Sequence, residues 1–179
     1  MKPVIRRILV PIDFSPTSDQ ALHYAAALAE EFGASLALLH VIEDRLMSGP
    51  WPAEVYLGEL PKLREGLVKD AERRMLKCFD MLTAQHITST GEVLIGGPSH
   101  VIVDQANQTG VDLIVMGTHG RTGITHLLVG SVAERVIRHA PCPVFVVREK
   151  KPAEKATETV AVAGKAAGDE VDAVHGFTA

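Results

Sequence analysis

Aromatic residues are scarce in this sequence. One tryptophan, two tyrosines and five phenylalanines make up 4% of the chain, whereas hydrophobic residues as a whole make up 46%. A core of this composition consists mainly of Val, Ile, Leu and Ala side chains. The length of 179 residues suits one globular domain with at most an additional tail.

Cysteine is also rare, which bears on redox and metal chemistry. The two cysteines, Cys78 and Cys142, form no paired metal or redox motif. Cys78 falls in a helical pattern, and Cys142 lies between Pro141 and Pro143 near the start of a strand. We interpret both as small core or turn residues of a reducing compartment, with a redox role as the alternative.

Long hydrophobic runs and an excess of basic charge are absent as well. No apolar run approaches the roughly 18 residues that a membrane span needs. The N-terminal sequence MKPVIRRILVPID has an apolar run too short for a signal peptide, and no small-residue cleavage site follows it. The formal net charge of −4 argues against a nucleic-acid partner. We therefore expect a cytoplasmic protein with neither a membrane nor a nucleic-acid partner.

The most informative segment is 111–131, VDLIVMGTHGRTGITHLLVGS. Its apolar run LIVM is typical of a buried strand, which ends at Gly117 before a glycine-containing loop. The loop ends at Gly130, and Ser131 with Glu134 three residues later predicts a capping box at a helix start. Free N–H groups and the helix dipole favour phosphate at such a position. The segment therefore predicts a nucleotide site.

The glycine spacing in this segment matches neither of the best-known phosphate motifs. It is not the dinucleotide fingerprint, and no Gly-Lys-Ser/Thr of a Walker A loop occurs. The alternative is purely structural. In that case Gly117 ends a strand, Gly120 and Gly123 serve turns, and Gly130 enters a helix.

Predicted strands and helices alternate along the rest of the chain. Alternation of this kind gives a doubly wound parallel sheet between two helical layers. The loop 43–60 is either a flap over the nucleotide, a protein-contact patch, or a loop packed on its own domain. The predicted strands are 5–12, 35–41, 88–95, 113–116 and 144–147, and the predicted helices are 16–32, 61–86, 99–108 and 131 to about 140.

The composition changes after Arg148. Alanine, glycine, lysine and acidic residues dominate from there on, without hydrophobic periodicity. We therefore predict a folded domain at 1–149 and a disordered C-terminal tail at 150–179.

Five segments follow one another along the chain: ILVPIDFS near the N-terminus, LLHVIE at 38–43, GGPSHVIVDQANQTGVD, DLIVMGTHGRTG and GSVAERVIRHAPCPVFVVR. These segments, in this order, resemble the universal stress protein family in its ATP-binding subclass. The resemblance covers roughly 2–148. It implies an α/β fold: a three-layer α/β/α sandwich, Rossmann-like, with a five-stranded parallel sheet in the order 3-2-1-4-5. Asp13 and Gly117 would then face one crevice at the carboxyl ends of adjacent strands.

The resemblance also implies a ligand, ATP or another adenine nucleotide, together with Mg²⁺ or Mn²⁺. Asp13 would lie near the ribose and the metal-bound phosphate, and Val41 would hold the adenine edge through main-chain groups. From the residues alone, Asp13 could instead form an Asx turn or helix cap. Arg121 could be a phosphate ligand or an exposed loop cation. The implied nucleotide-binding residues are Pro11, Ile12, Asp13, Val41, Met116, Gly117, His119, Gly120, Arg121, Gly130, Ser131 and Val132.

The fifth strand predicts a homodimer. Its residues Val144, Phe145, Val146 and Val147 would form an exposed apolar edge. In the family that the chain resembles, the fifth strands of two subunits meet. We expect the same contact here, and a further protein partner whose identity the sequence does not reveal.

Three functions are compatible with the sequence. The first is a nucleotide-binding stress-response or signalling module with little or no turnover. The second is an enzyme, either a slow ATPase or a phosphoryl or adenylyl transferase; the third is a nucleotide-free dimeric scaffold. Phosphoryl transfer requires an oriented nucleophile and neutralised phosphates. The chain has no P-loop lysine and, apart from His119, no candidate base, so we assign no catalytic residue and favour binding.

Overall fold

The computed structural model describes residues 4–43, 52, 55–118 and 130–148. The predicted tail 150–179 and most of the predicted loop 43–60 therefore lie outside the described residues. A π-helical turn at Val55–Glu59 precedes the second helix. The strands are β1 (Arg7–Pro11), β2 (Ser35–Glu43), β3 (Ser89–Gly96), β4 (Leu113–Gly117) and β5 (Val144–Val147), and the helices are α1 (Pro16–Phe32), α2 (Leu60–Ala84), α3 (Pro98–Thr109) and α4 (Ser131–His139).

The five strands form one parallel sheet in the order β3-β2-β1-β4-β5. This confirms the predicted order and places β1 beside β4, with Leu9 paired to Ile114. β2 extends two residues beyond its predicted end, because Ile42 and Glu43 still pair with β3. The sheet thus has the reversal of strand order, between β1 and β4, at which open α/β sheets bind ligands.

Two apolar layers cover the faces of the sheet. Leu9, Leu39 and Ile114 pack against α3 and α4 on one face, whereas Ile8 and Leu38 pack against α1 and α2 on the other. The chain is therefore the predicted three-layer α/β/α sandwich, and its buried residues are mostly Val, Ile, Leu and Ala. None of the helices in the described ranges is both long and apolar enough to cross a membrane.

Glycines end two of the helices as predicted. Gly33 and Gly110 follow α1 and α3 with φ of 64° and 59°, the left-handed conformation that glycine adopts at little cost. The prediction of a loop throughout 43–60 is wrong at its end, because Val55–Glu59 is a helical turn that leads into α2. Leu60, only 9% exposed, secures this end of the helix in the fold.

Candidate functional site

The carboxyl ends of β1 and β4 lie side by side. Leu9 pairs with Ile114 in the parallel sheet, and the two strands end a few residues later, at Pro11 and Gly117, so that Asp13 and Thr118 both follow at the same edge of the sheet. Asp13 precedes α1, and Thr118 precedes the segment 119–129, which lies outside the described residues. The structure thus places Asp13 and the end of β4 at one edge of the sheet, as predicted.

Asp13 forms an Asx turn, which was the structural alternative predicted for this residue from the sequence. Its Oδ1 accepts the backbone N–H of Ser15 at 3.0 Å and the Ser15 hydroxyl at 2.6 Å. The Ser15 hydroxyl in turn accepts the N–H of Ser18 at 3.2 Å and caps α1. These contacts fix the position of the Asp13 carboxylate just before α1.

Phe14, between Asp13 and Ser15, has φ of 61°. A bulky residue in this left-handed conformation costs on the order of 1–3 kcal/mol and persists only where its surroundings hold it. The ring centroid of Phe14 is 4.6 Å from that of His40, and the Arg74 guanidinium lies 4.5 Å from it. We refer to Arg74, Phe14 and His40 as the Phe14 stack.

The start of α4 is fixed by one backbone hydrogen bond. Gly130 donates its N–H to the carbonyl oxygen of Thr118 at 2.7 Å, and its own carbonyl accepts the N–H of Glu134. Gly130 is therefore the N-cap, and Ser131 is the first helical residue. The predicted capping box is wrong, because it requires Ser131 at the cap. The Glu134 carboxylate pairs with Arg138 instead, at 2.7 Å.

This helix start presents fewer main-chain donors than the glycine pattern suggests. The N–H groups of Ser131, Val132 and Ala133 belong to the first turn and have no acceptor within the helix. The N–H of Gly130 is already bonded to Thr118, and the N–H of Thr118 is bonded to Val147. An anion at this point would therefore meet the amides that follow Gly130, at the positive end of the helix dipole.

Val41 lies where β1 has left the sheet. The Leu39 carbonyl accepts the N–H of Ile12 at 2.8 Å, so the main-chain groups of Leu39, and by alternation those of Val41, point toward the side of β1. The Ile12 carbonyl, which would continue this ladder, instead lies 2.7 Å from Nδ1 of His40. The His40 ring thus takes the place of a backbone partner at the Ile12 carbonyl, and the main-chain groups of Val41 point toward the side of β1.

The other predicted nucleotide-binding residues are buried in the core, lie at the start of α4, or fall outside the described residues. Pro11, Ile12 and Met116 are buried, so a contact with a ligand would use their main chains. Val132 is partly buried and Ser131 is exposed. His119, Gly120 and Arg121 lie outside the described residues.

Sequence reasoning missed Phe14 and Arg74. The aromatic residue followed a strand and Arg74 lay within a charged helix face, so neither position was distinctive. Only the folded chain brings α2 against the β1–α1 turn.

No cluster of His, Cys, Asp and Glu side chains able to hold a metal occurs within the described ranges. A lone carboxylate such as Asp13 fits Mg²⁺ only where phosphate oxygens and water supply the other ligands. Neither cysteine belongs to a metal-binding cluster in the described part of the chain. Burial and the charge of Asp19 raise the pKa of Cys78, and burial and the charge of Asp112 raise that of Cys142. Raised pKa values are those of unreactive thiols.

Comparison with known proteins decides the family. The model of the universal stress protein family matches residues 5–148. The chain belongs to this family. The match includes the whole sheet and all the helices described above.

Individual relatives agree with this assignment. The chain is 37% identical to universal stress protein MJ0531 of Methanocaldococcus jannaschii over 146 residues, which is 82% of this chain and 84% of that protein. The solved structure of MJ0577 from the same organism superposes with a TM-score of 0.75 at 32% identity, covering 83% of this chain and 99% of that one. A universal stress protein solved in complex with cAMP has a TM-score of 0.54 at 25% identity, covering 80% and 97%.

Proposed function

We propose that this universal stress protein binds ATP at the carboxyl ends of β1 and β4, within a domain formed by residues 1–149, and acts as a stress-response or signalling module with little or no turnover. One observation carries the proposal. The hydrogen bond from Gly130 to Thr118 fixes the N-terminus of α4 at the sheet edge that also bears the Asp13 turn. In this proposal the first-turn amides of α4 bind phosphate and the Asp13 carboxylate binds the metal at this edge.

Each part of the ligand has a matching group in this proposal. The phosphates lie against the first-turn amides of α4, from Ser131 onward, and against residues His119, Gly120 and Arg121 of the preceding segment. Asp13 binds Mg²⁺ or Mn²⁺ held by phosphate oxygens. The adenine edge pairs with the main-chain N–H and C=O of Val41, which point toward the side of β1. The relative solved with cAMP supports an adenine nucleotide, and the glycine motif of 117–131 supports ATP.

The backbone of Gly130 supports a close approach by the ligand. Its φ of −58° and ψ of 151° are open to any residue, so the conformation does not require glycine. In this proposal the missing side chain of Gly130 leaves room for the ligand. A phosphate resting on the amides of Ser131 and Val132 would need that space.

Binding without efficient turnover follows from the groups at this edge. Asp13 binds the metal in this proposal, and His40 is 5% exposed and bonded to Ile12. Neither is placed as a general base for an attacking water within the described part of the chain. A slow ATPase activity would have to draw its base from elsewhere, such as His119.

A homodimer through β5 forms part of the proposal. β5 pairs with β4 on one side and is the last strand of the sheet within the described residues. Phe145 is 43% exposed, and its ring centroid lies 5.9 Å from that of the half-exposed Tyr24 on α1. The two aromatic rings thus form an exposed apolar surface beside the edge strand. A second copy paired along β5 would cover both.

The nucleotide that co-purifies with the protein tests the function. Chromatography and mass spectrometry of acid-released ligand should identify ATP. In a single-turnover experiment with labelled ATP, intact ATP should dissociate faster than ADP forms. Faster ADP formation would make the protein an enzyme, and failure to take up any nucleotide would leave only the dimeric scaffold.

A further inference from the structure

We infer that Arg74 is a positioning residue of the nucleotide site: its guanidinium holds the Phe14 ring, and through Phe14 it holds the Asp13 turn in the metal-binding conformation. The inference rests on the proposed function. It assigns a role in binding to helix α2, which lies on the opposite face of the sheet from α4.

The first step is the clamping of the Phe14 ring. The Phe14 ring centroid lies 4.6 Å from that of the His40 imidazole on β2, and the Arg74 guanidinium on α2 lies over the ring, 4.5 Å from its centroid. His40 is itself fixed, because Nδ1 lies 2.7 Å from the Ile12 carbonyl oxygen. Arg74 is therefore the only member of the Phe14 stack supplied by a helix. The Arg74 guanidinium lies over the face of the Phe14 ring and forms a cation–π contact with it.

The second step links the ring to Asp13. The bonds from Ser15 to Asp13 Oδ1 span Phe14, so the turn closes only while Phe14 keeps its left-handed φ. A non-glycine residue keeps that conformation only when its surroundings hold it. Loss of the cation above the ring would let Phe14 relax toward negative φ, and Asp13 would move relative to β1.

The third step compares Arg74 with its neighbour on the same helix. Arg73 is exposed and forms an ion pair with Asp70, within α2. Arg74 is half-buried and is placed over the aromatic ring of a different element. Arg73 is thus a matched control for removing one positive charge from this helix without touching the Phe14 stack.

The test is a set of dissociation constants for Mg·ATP, measured by calorimetry. Arg74→Gln should weaken binding about fivefold, the factor that corresponds to a cation–π contact of average strength. Arg73→Gln should leave binding unchanged. Arg74→Lys should bind with an affinity between those of the wild type and Arg74→Gln, because the ammonium can still lie over the ring but lacks the planar stacking of guanidinium. Thermal melting identifies any variant that fails to fold. One folded Arg74 variant is enough for the comparison with Arg73→Gln.

A double-mutant cycle separates positioning from a general effect on the fold. In an Asp13→Asn background, which keeps the turn acceptor but removes the metal-binding charge, Arg74→Gln should weaken binding less than twofold. An equal loss in both backgrounds would overturn the inference, as would Arg74 variants that bind like Arg73→Gln. If the wild type binds no nucleotide, the proposed function fails and this inference with it; if the wild type binds and the Arg74 variants match it, the inference alone fails.

Discussion

Gly117 at the end of β4 lies against Thr17 in the first turn of α1. A Cβ at Gly117 would be 3.0 Å from Thr17 Cγ2 and 3.2 Å from its carbonyl carbon and oxygen. Part of the glycine pattern in 111–131 therefore serves packing. The contact brings the first turn of α1, which follows the Asp13 turn, against the strand that leads to Thr118. Gly117 thus shapes the crevice whether or not it contacts a ligand.

Gly117→Ala should destabilise the protein. The added methyl group meets backbone atoms of Thr17 that have little room to move, and overpacking of this kind costs about 1–3 kcal/mol. Gly66→Ala is the matched control, because a Cβ there meets nothing within 4 Å and alanine is favoured over glycine in a helix such as α2. The control should gain about 0.5–1 kcal/mol. Urea unfolding measures both, and equal stabilities of the two variants would contradict the packing role.

Asp13→Asn should change the metal dependence of nucleotide binding more than the fold. The Asn carbonyl oxygen can still accept the N–H of Ser15, so the turn before α1 is kept. With Mg²⁺, the loss of the carboxylate should weaken ATP binding about tenfold, the effect of one charged contact. Without metal, removal of a negative charge near the phosphates should leave affinity equal or higher. Calorimetry with Mg²⁺ or EDTA measures both; equal losses under the two conditions would argue against a metal contact.

Phe145→Asp should convert the proposed dimer into a monomer. A charge on the exposed edge strand would be buried against the second copy, which costs several kcal/mol without a partner. Leu76→Asp is the control, because Leu76 is 59% exposed and lies on α2, away from β5. Light scattering at micromolar concentration should give a dimeric mass for the wild type and for Leu76→Asp. A monomeric wild type would remove the proposal.

Local sequence patterns were sufficient to place the strands and helices, because the central strands are buried and the helices end at recognisable residues, whereas the strand order was implied by the family resemblance. Apolar runs such as LIVM before Gly117 mark parallel strands covered on both faces, and Gly33 and Gly110 end their helices in the left-handed conformation. Hydrophobic periodicity is a local property, and a local pattern suffices to place such elements.

The sequence was less informative about the site because its geometry depends on contacts between distant segments. The Ser131–Glu134 spacing predicted a capping box, but the carbonyl of Thr118 captures the Gly130 N–H and moves the cap to Gly130. The Phe14 stack joins a turn, a strand and a helix that are far apart in the chain. No local pattern indicates which arginine of α2 will cover Phe14.

Calorimetric titration of nucleotide-free protein with Mg·ATP, alongside Gly130→Val, tests the central claim most directly. The wild type should bind one ATP per chain saturably. Gly130→Val should fold, because valine tolerates the extended backbone of Gly130. It should show no measurable ATP binding, because the valine side chain would fill the space before the first-turn amides of α4. Gly97→Val, at the equally extended N-cap of α3, should bind like the wild type. Wild-type affinity in folded Gly130→Val, or no saturable binding by the wild type, would contradict the account.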